Sequence, residues 1–365
     1  MTVAAARPHP TPTLRVDLVE DLELLRNEWS SLGERTGNLF ATWEWNSLWW
    51  RQMGQGRRLI AAAVRDDAGA LVGLLPAYVA IAAGPARVIR LLGHGQGDRL
   101  GPICLPADRP RVATALRAAL RSKPWANALF LAEKLPAEEG WKALLGARPV
   151  SREASPVLEI ATSDWEEFLA GRSSGLRKQV RYQERRLARE YDLRYRVIED
   201  GAALPAALDA LFRLHGVRWG AEGAPAFARA EAFHRTFAAG SLERGWLRLW
   251  LLELDGRPVA AWHGFRFGGA DWHYQSGRDP AWDRYSVGAV LLAHTIRDCI
   301  EAGLPRYLFL RGGEEYKLRF ATADPGLETV VLGSGIGGRA AVAALDGVRR
   351  LPPASRRRIT RLVGA

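Results

Sequence analysis

The chain has 365 residues, 48% of them hydrophobic and 25% charged, which is a globular composition with room for two domains of ordinary size. No run of about 18 apolar residues is free of charge, which excludes a membrane-spanning helix, and the two cysteines, Cys104 and Cys299, exclude a disulfide framework and a thiolate metal site. The net charge of +11 is local: residues 172–196 hold nine Lys+Arg against three acids, the tail from Arg339 holds seven Arg against Asp346, and the remaining chain is close to neutral. Local anion attraction is therefore expected, not a generally basic surface.

Residues 1–13 are rich in Pro and Ala without an apolar h-region and read as a loose tail, not a signal peptide, so a cytoplasmic protein is expected. Amphipathic helices are predicted over residues 19–31, with Leu22, Leu25 and Trp29 on one face, and after Thr42, where Trp45, Leu48 and Trp49 share a face. Strands follow at 58–65 and 70–80 around the turn at Asp66-Asp67-Ala68-Gly69, then at 87–92 and 101–105. Between the last two, G-H-G-Q-G-D-R reads as a loop. A helix near 111–122, a strand at 128–131 and a short helix near Trp141 complete a mixed unit.

The second half starts near Pro156. A charged helix over 172–190 carries Arg177, Arg181, Arg185 and Arg189 at i, i+4 spacing beside Leu176, Val180 and Leu187. This is an amphipathic surface helix or an anion-binding wall for a nucleotide-linked sugar, a polyanion or tRNA. After a helix around 204–219, residues 246–277 give the clearest strand signal. Two hairpins turn there at Asp255-Gly256 and Gly268-Gly269, dipeptides that supply the positive φ of tight turns. A helix over 286–302 ends at Gly303 and Pro305, and a strand at 307–310 leads into F-L-R-G-G-E-E-Y-K. The acidic-Gly turns at Gly69 and Gly256 each precede an apolar strand, which hints at a duplication. G-S-G-I-G-G at 333–338 matches a dinucleotide fingerprint but lacks the following strand and acid, and reads as a flexible link to a basic tail helix. His263 and His273 alternate with Trp262 and Trp272 and read as pocket lining or sheet histidines. No G-x-S-x-G elbow occurs, which argues against a hydrolase.

Five segments, H-G-V-R-W-G (215–220), L-D-G-R-P-V-A-A (254–261), Y-Q-S-G-R-D-P (274–280), Y-S-V-G (285–288) and F-L-R-G-G-E-E-Y-K (309–317), occur in an order that resembles the FemAB/CelD-like branch of the GNAT acyltransferase superfamily. The resemblance spans roughly residues 20–335 and implies an α/β (α+β) fold of two tandem GNAT-like halves. The implied division is a tail 1–13, a degenerate half 14–154, a catalytic half 155–335 and a basic helical tail 336–365. It implies transfer of an acyl group, with acetyl the expectation, from acyl-CoA to an amine or hydroxyl on a sugar, polysaccharide or cell-envelope precursor. An aminoacyl-tRNA-dependent peptidyltransferase and a degenerate scaffold are the alternatives. No metal is implied, and the basic tail is available to anionic surfaces.

By the same resemblance, the acyl-CoA site comprises Gln275, Ser276, Gly277, Arg284, Ser286 and Gly288, with the pyrophosphate at the N-terminus of the 286–302 helix, where unpaired N–H groups favour an anion. Ser286 is the expected N-cap. Val287 stands where the superfamily pattern has its first Gly, and Gly313 where the family motif has Asp. Glu314, Tyr316 and Lys317 are the catalytic candidates: Glu314, or Glu315, to take the acceptor's proton, and Lys317 to hold an anion or stabilise an oxyanion. His215, Arg218, Trp219, His263 and Arg311 are assigned to acceptor binding. An active enzyme requires an open V-shaped gap beside Gln275–Gly277 leading to the start of that helix.

Overall fold

The computed structural model describes residues 14–83, 86–219 and 226–349; the N-terminal tail 1–13 and the residues after 349 lie outside it. Strands β1 (Arg15–Val19), β2 (Arg58–Leu59), β3 (Ala61–Arg65), β4 (Leu71–Leu75), β5 (Ala77–Ala83), β6 (Ala86–Leu91), β7 (Ile103–Cys104), β8 (Ala128–Pro136) and β9 (Arg148–Glu153) belong to the first half. β10 (Val157–Glu159), β11 (Leu193–Val197), β12 (Leu247–Leu254), β13 (Arg257–Phe267), β14 (Ala270–Arg278), β15 (Arg306–Leu308) and β16 (Leu327–Gly333) follow.

The two halves repeat one plan. The second sheet has the order β10-β15-β14-β13-β12-β11. β11 to β14 are antiparallel neighbours, and β15 pairs parallel to β14 after the crossover helix Val287–Glu301. In the first half, β2 and β3 are one strand interrupted at Ile60, and β4 and β5 are one strand interrupted at Pro76, which has no N–H for the ladder. The Ile60 N–H donates to the Ala77 carbonyl at 3.0 Å and carries the pairing across the break. β1, β3, β4 and then β5 and β6 are antiparallel, and β8 pairs parallel to β6 after the crossover helix Arg109–Ala119. The Gly69 and Gly256 turns thus join equivalent strands. At the second, Asp255 (φ 50°) and Gly256 (φ 75°) both lie in the left-handed region, as a type I′ hairpin requires.

The halves trade edges. β16, from the end of the second half, inserts between β8 and β9 and is antiparallel to both, while β10 closes the second sheet beside β15. The expected limits 14–154 and 155–335 follow chain order, whereas the sheets do not. The helix Gly335–Arg349 packs back on β16 and β8. A Cβ at Gly338 would lie 2.3 Å from the Ala128 carbonyl oxygen, and the Gly338 N–H donates to the Ser334 carbonyl at 3.1 Å. G-S-G-I-G-G is therefore a close strand–helix crossing that needs bare backbone, not a flexible link.

Alternation along β12 and β13 sorts side chains to two cores. Leu249, Leu251, Ala261 and Phe265 join the core shared with the first half, whereas Trp250, Leu252, Ala260 and Trp262 join a second core under the helices Ser174–Glu190 and Val287–Glu301. Trp45 is fully buried and meets Phe233 and Phe237 edge-on, with centroids 4.9 and 4.8 Å away, so the predicted tryptophan face welds the halves together. Among the described residues no helix is long and apolar enough to cross a membrane.

Candidate active site

Strand divergence opens the site. The parallel pairing of β14 with β15 ends at Trp272 opposite Leu308, yet β14 runs on to Arg278. Beyond that point the backbone of 309–312 is held on its other side, where the N–H groups of Phe309 and Gly312 donate to the carbonyls of Pro156 and Ala154 at 3.1 and 2.9 Å. The V-shaped gap required by the sequence reading is present. The register of β14 shifts opposite His263 and Gly264 of β13, so Tyr274 is an extra residue in β14, a bulge that takes its backbone out of the regular ladder.

A cavity of about 500 Å³ fills the gap. From the second half come His215, Arg218, His273, Gln275, Leu310 and the 311–317 segment. From the first half come Gly95, Gln96 and Asp98 of the glycine-rich loop, and Lys134 of β8. Asp98 spans the two: one carboxylate oxygen accepts the Arg311 backbone N–H at 3.2 Å, and the other is 3.0 Å from the Lys134 ammonium. The Lys317 ammonium, 5% exposed as a residue, donates to the carbonyl of the same Arg311 at 2.7 Å and lies 2.9 Å from a Glu314 oxygen. Burial pushes the Glu314 pKa up, but the Lys317 hydrogen bond and charge outweigh it, so the net shift is downward and the carboxylate is ionised at neutral pH. The three buried histidines of this region behave oppositely: desolvation lowers His215 to about 4, although Gln275 favours its charged form, lowers His263 to about 3, and holds His273, beside Lys317 and Arg218, well below the usual value.

A second cavity of about 370 Å³ lies at the N-terminus of the Val287–Glu301 helix. Its lining holds Arg218, Arg278 and Arg319 against one carboxylate, Asp283, together with Ser286 and Gly288. Helix geometry leaves the first N–H groups without intrahelical acceptors, and with the dipole and three guanidiniums the mouth attracts anions. Arg218 and Tyr316 line both cavities, so the two adjoin.

Backbone strain collects here as well. Of six non-glycine residues with positive φ among the described residues, Lys134 and Leu310 line the larger cavity, Arg99 follows Asp98, and Ser286 lines the smaller one. Such conformations cost about 1–3 kcal/mol each and persist where the surroundings impose them, often at functional sites.

The sequence-predicted residues distribute unevenly. Glu314, Tyr316, Lys317, Gln275, His215, Arg218 and Arg311 come together at the larger cavity, and Ser286 and Gly288 at the smaller. Ser276 accepts from Arg218 at 2.7 Å, and Gly277 is where the helix Leu204–Trp219 crosses β14. Ser286 occupies the N-cap position at φ 52°, with no side-chain capping bond, contrary to the expectation. Arg284 stacks over Tyr285 at 4.7 Å and lines neither cavity; Arg278, which the resemblance did not single out, takes that place. His263 lies behind the cavity, near Phe227 and Tyr274, and lines neither cavity. Arg311 is tied at the rim to Glu153 at 2.6 Å. Trp219 ends its helix, and its side chain lies outside the described part. Lys317 is a buried strut between Glu314 and the backbone, not an exposed anion clamp. His273, one of the two histidines read as pocket lining or sheet histidines, lines the larger cavity, whereas Asp98, Lys134 and Arg319 were missed as site residues; G-H-G-Q-G-D-R, too rich in glycine to be a strand or helix, was the available signal for the first. Among the described residues no cluster of His, Cys, Asp or Glu could hold a metal ion.

Residues 174–318 match the family described as Acetyltransferase (GNAT) domain. No curated protein sequence matches the chain. Among solved structures, FemX aligns with a TM-score of 0.59 at 11% identity, covering 84% of this chain and 95% of its own. The C-terminal domain of a putative lysylphosphatidylglycerol synthetase from Agrobacterium fabrum gives 0.53 at 14%, covering 89% and 96%. A Bacteroides thetaiotaomicron protein of unknown function gives 0.54 at 13%, covering 87% and 99%. At these identities the likeness is one of fold, and it extends over both halves.

Proposed function

We propose that this chain, whose residues 174–318 match the GNAT acetyltransferase family and whose fold is like that of FemX, transfers an acyl group from acyl-CoA to an amine or hydroxyl of a cell-envelope or sugar-linked acceptor. The carrying observation is the junction at Arg218 and Tyr316. It joins an anion-attracting cavity, suited to the donor's pyrophosphate, to a strand gap with an ionised carboxylate, suited to the reaction. The donor's diphosphate would lie on Arg278, Arg319, Ser286 and the helix N-terminus, and its thioester would enter the gap beside the Tyr274 bulge. Backbone amides freed from the ladder there polarise the carbonyl, as donors in a dry, preorganised site do.

Glu314 accepts the proton of the acceptor nitrogen or oxygen as the lone pair forms the new bond to carbon. The carbon–sulfur bond breaks, and the departing thiolate takes a proton from Tyr316 at the junction. Lys317 keeps Glu314 charged and the 311–314 loop in place. The fold shared with a lysylphosphatidylglycerol synthetase domain supports an envelope-type acceptor.

Calorimetric titration with CoA and acetyl-CoA tests the donor. Saturable binding is expected, weakened about tenfold or more by Arg278→Ala, the loss of one charge-assisted phosphate contact. Arg284→Ala should leave it within about twofold. Absence of CoA binding overturns the donor assignment, and titration with aminoacyl-tRNA then takes its place.

A further inference from the structure

A third cavity, of about 230 Å³, lies away from the two described above, between the helices Trp43–Met53 of the first half and Glu231–Glu243 of the second. Its mouth is cationic. Arg26 stacks over the Trp43 ring at 4.6 Å with Arg51 at 6.0 Å, and Arg244 lies 5.6 Å over Trp246; Glu44 is the lone carboxylate of the lining. Glu44 is poorly matched to Arg244, at 3.5 Å through one oxygen, while its other oxygen is buried without a hydrogen-bond partner. Trp43 Nε1, Ser47 Oγ and Ser241 Oγ around it are also buried and unpartnered. Buried polar atoms are nearly always bonded, so four orphans around one crevice mark an unmet demand. The terminal torsion of a glutamate is broad, so a small rotation carries the unpartnered oxygen to the crevice surface.

We propose that this crevice binds a purine nucleoside monophosphate. Three features select that class together. The carboxylate can only accept, so the ligand must offer hydrogen-bond donors, and the edge of a guanine offers two side by side, its ring N–H and exocyclic amine. Indole and guanidinium planes provide a stacking surface for a flat heterocycle. The guanidiniums of Arg26, Arg51 and Arg244 at the mouth suit a phosphate, which arginine recognises in bidentate fashion; Arg26 also stands 4.0 Å from Glu23. The volume is below that of a drug-sized pocket and fits a base with its ribose phosphate at the rim.

Calorimetry on the full chain with GMP, AMP, CMP, inorganic phosphate and CoA, supported by tryptophan fluorescence, tests the assignment. GMP should bind about tenfold more tightly than CMP, and phosphate alone should not saturate. Glu44→Gln should erase the preference for GMP. Arg51→Ala, on an exposed side chain that leaves the fold intact, should weaken every nucleotide at least about threefold. Glu314→Gln, which removes a carboxylate of the larger cavity and none of this crevice, should leave GMP affinity unchanged. Failure of GMP to bind overturns the proposal, as does binding that ignores both Glu44→Gln and Arg51→Ala or that saturating CoA displaces.

Discussion

Gly277→Ala adds one methyl group to β14 at the point where the helix Leu204–Trp219 crosses it. The new Cβ would stand 2.4 Å from His215 N, 2.5 Å from the Leu214 carbonyl carbon and 2.9 Å from His215 Cα, all helix backbone, so no rotamer change relieves the clash. Ordinary contact begins near 3.4 Å, so the helix must retreat by about 1 Å. Leu208, Leu211 and Leu214 on its buried face are at most 2% exposed and lose part of their dispersion contact as it moves. Overpacking of this kind costs about 1–3 kcal/mol. The same motion draws Arg218 off Ser276, now 2.7 Å apart, beyond hydrogen-bonding range, and disturbs the wall common to both cavities. Displacements of that size cost on the order of 100-fold in positioned reactions. Urea unfolding and CoA titration of the variant measure the two effects, with weakening expected in both. A variant within about 0.5 kcal/mol of wild type in stability and within twofold in affinity would refute the close crossing and its coupling to the site.

Stability should fall with acidification between about pH 6.5 and 4, because His215 and His263 are buried neutral with pKa values of about 4 and 3. The unfolded chain binds their protons first, so their contribution is complete above pH 6.5 and is lost as pH drops, on the order of 3 kcal/mol for His215. His263→Leu should flatten the pH dependence of urea midpoints. Asp98→Asn should lower stability by about 1.5–3 kcal/mol, since it weakens a charge-assisted bond to the Arg311 N–H and removes the carboxylate paired with Lys134, which keeps only its bond to the Gly97 carbonyl; denaturant titration reads it. Gly338→Val should lift the Gly335–Arg349 helix off β8 and lower the melting temperature by several degrees, because its Cβ falls on the Ala128 carbonyl.

Hairpins and amphipathic helices were legible in the sequence because their signals are local. Asp255-Gly256 and Gly268-Gly269 encode their turns in two residues, and Trp45, Leu48 and Trp49 encode a buried face by spacing alone. The cluster of Glu314, Tyr316 and Lys317 was legible for a similar reason, since charged side chains at a strand end need a polar surrounding. Asp98 and Lys134 were not, because their role depends on pairing between β6 and β8 and on contact with Arg311, more than 200 residues away. Arg278 was passed over in favour of Arg284 because the register of β14 against the following helix is a tertiary property. The glycine-rich stretch 333–338 misled because close packing and flexibility both select glycine, and only the neighbouring strand distinguishes them.

The insertion of β16 between β8 and β9 orders events during synthesis. Until residues 327–333 leave the ribosome, β8 and β9 have no common partner, and the first sheet exposes unpaired backbone where a strand should lie. The first half must therefore wait for nearly the whole second half to be made, the reverse of the usual N-terminal-first sequence. Cutting the chain near residue 155 would yield one fragment with an open seam and another with a homeless strand. The two halves, though built on one plan, complete each other's sheets.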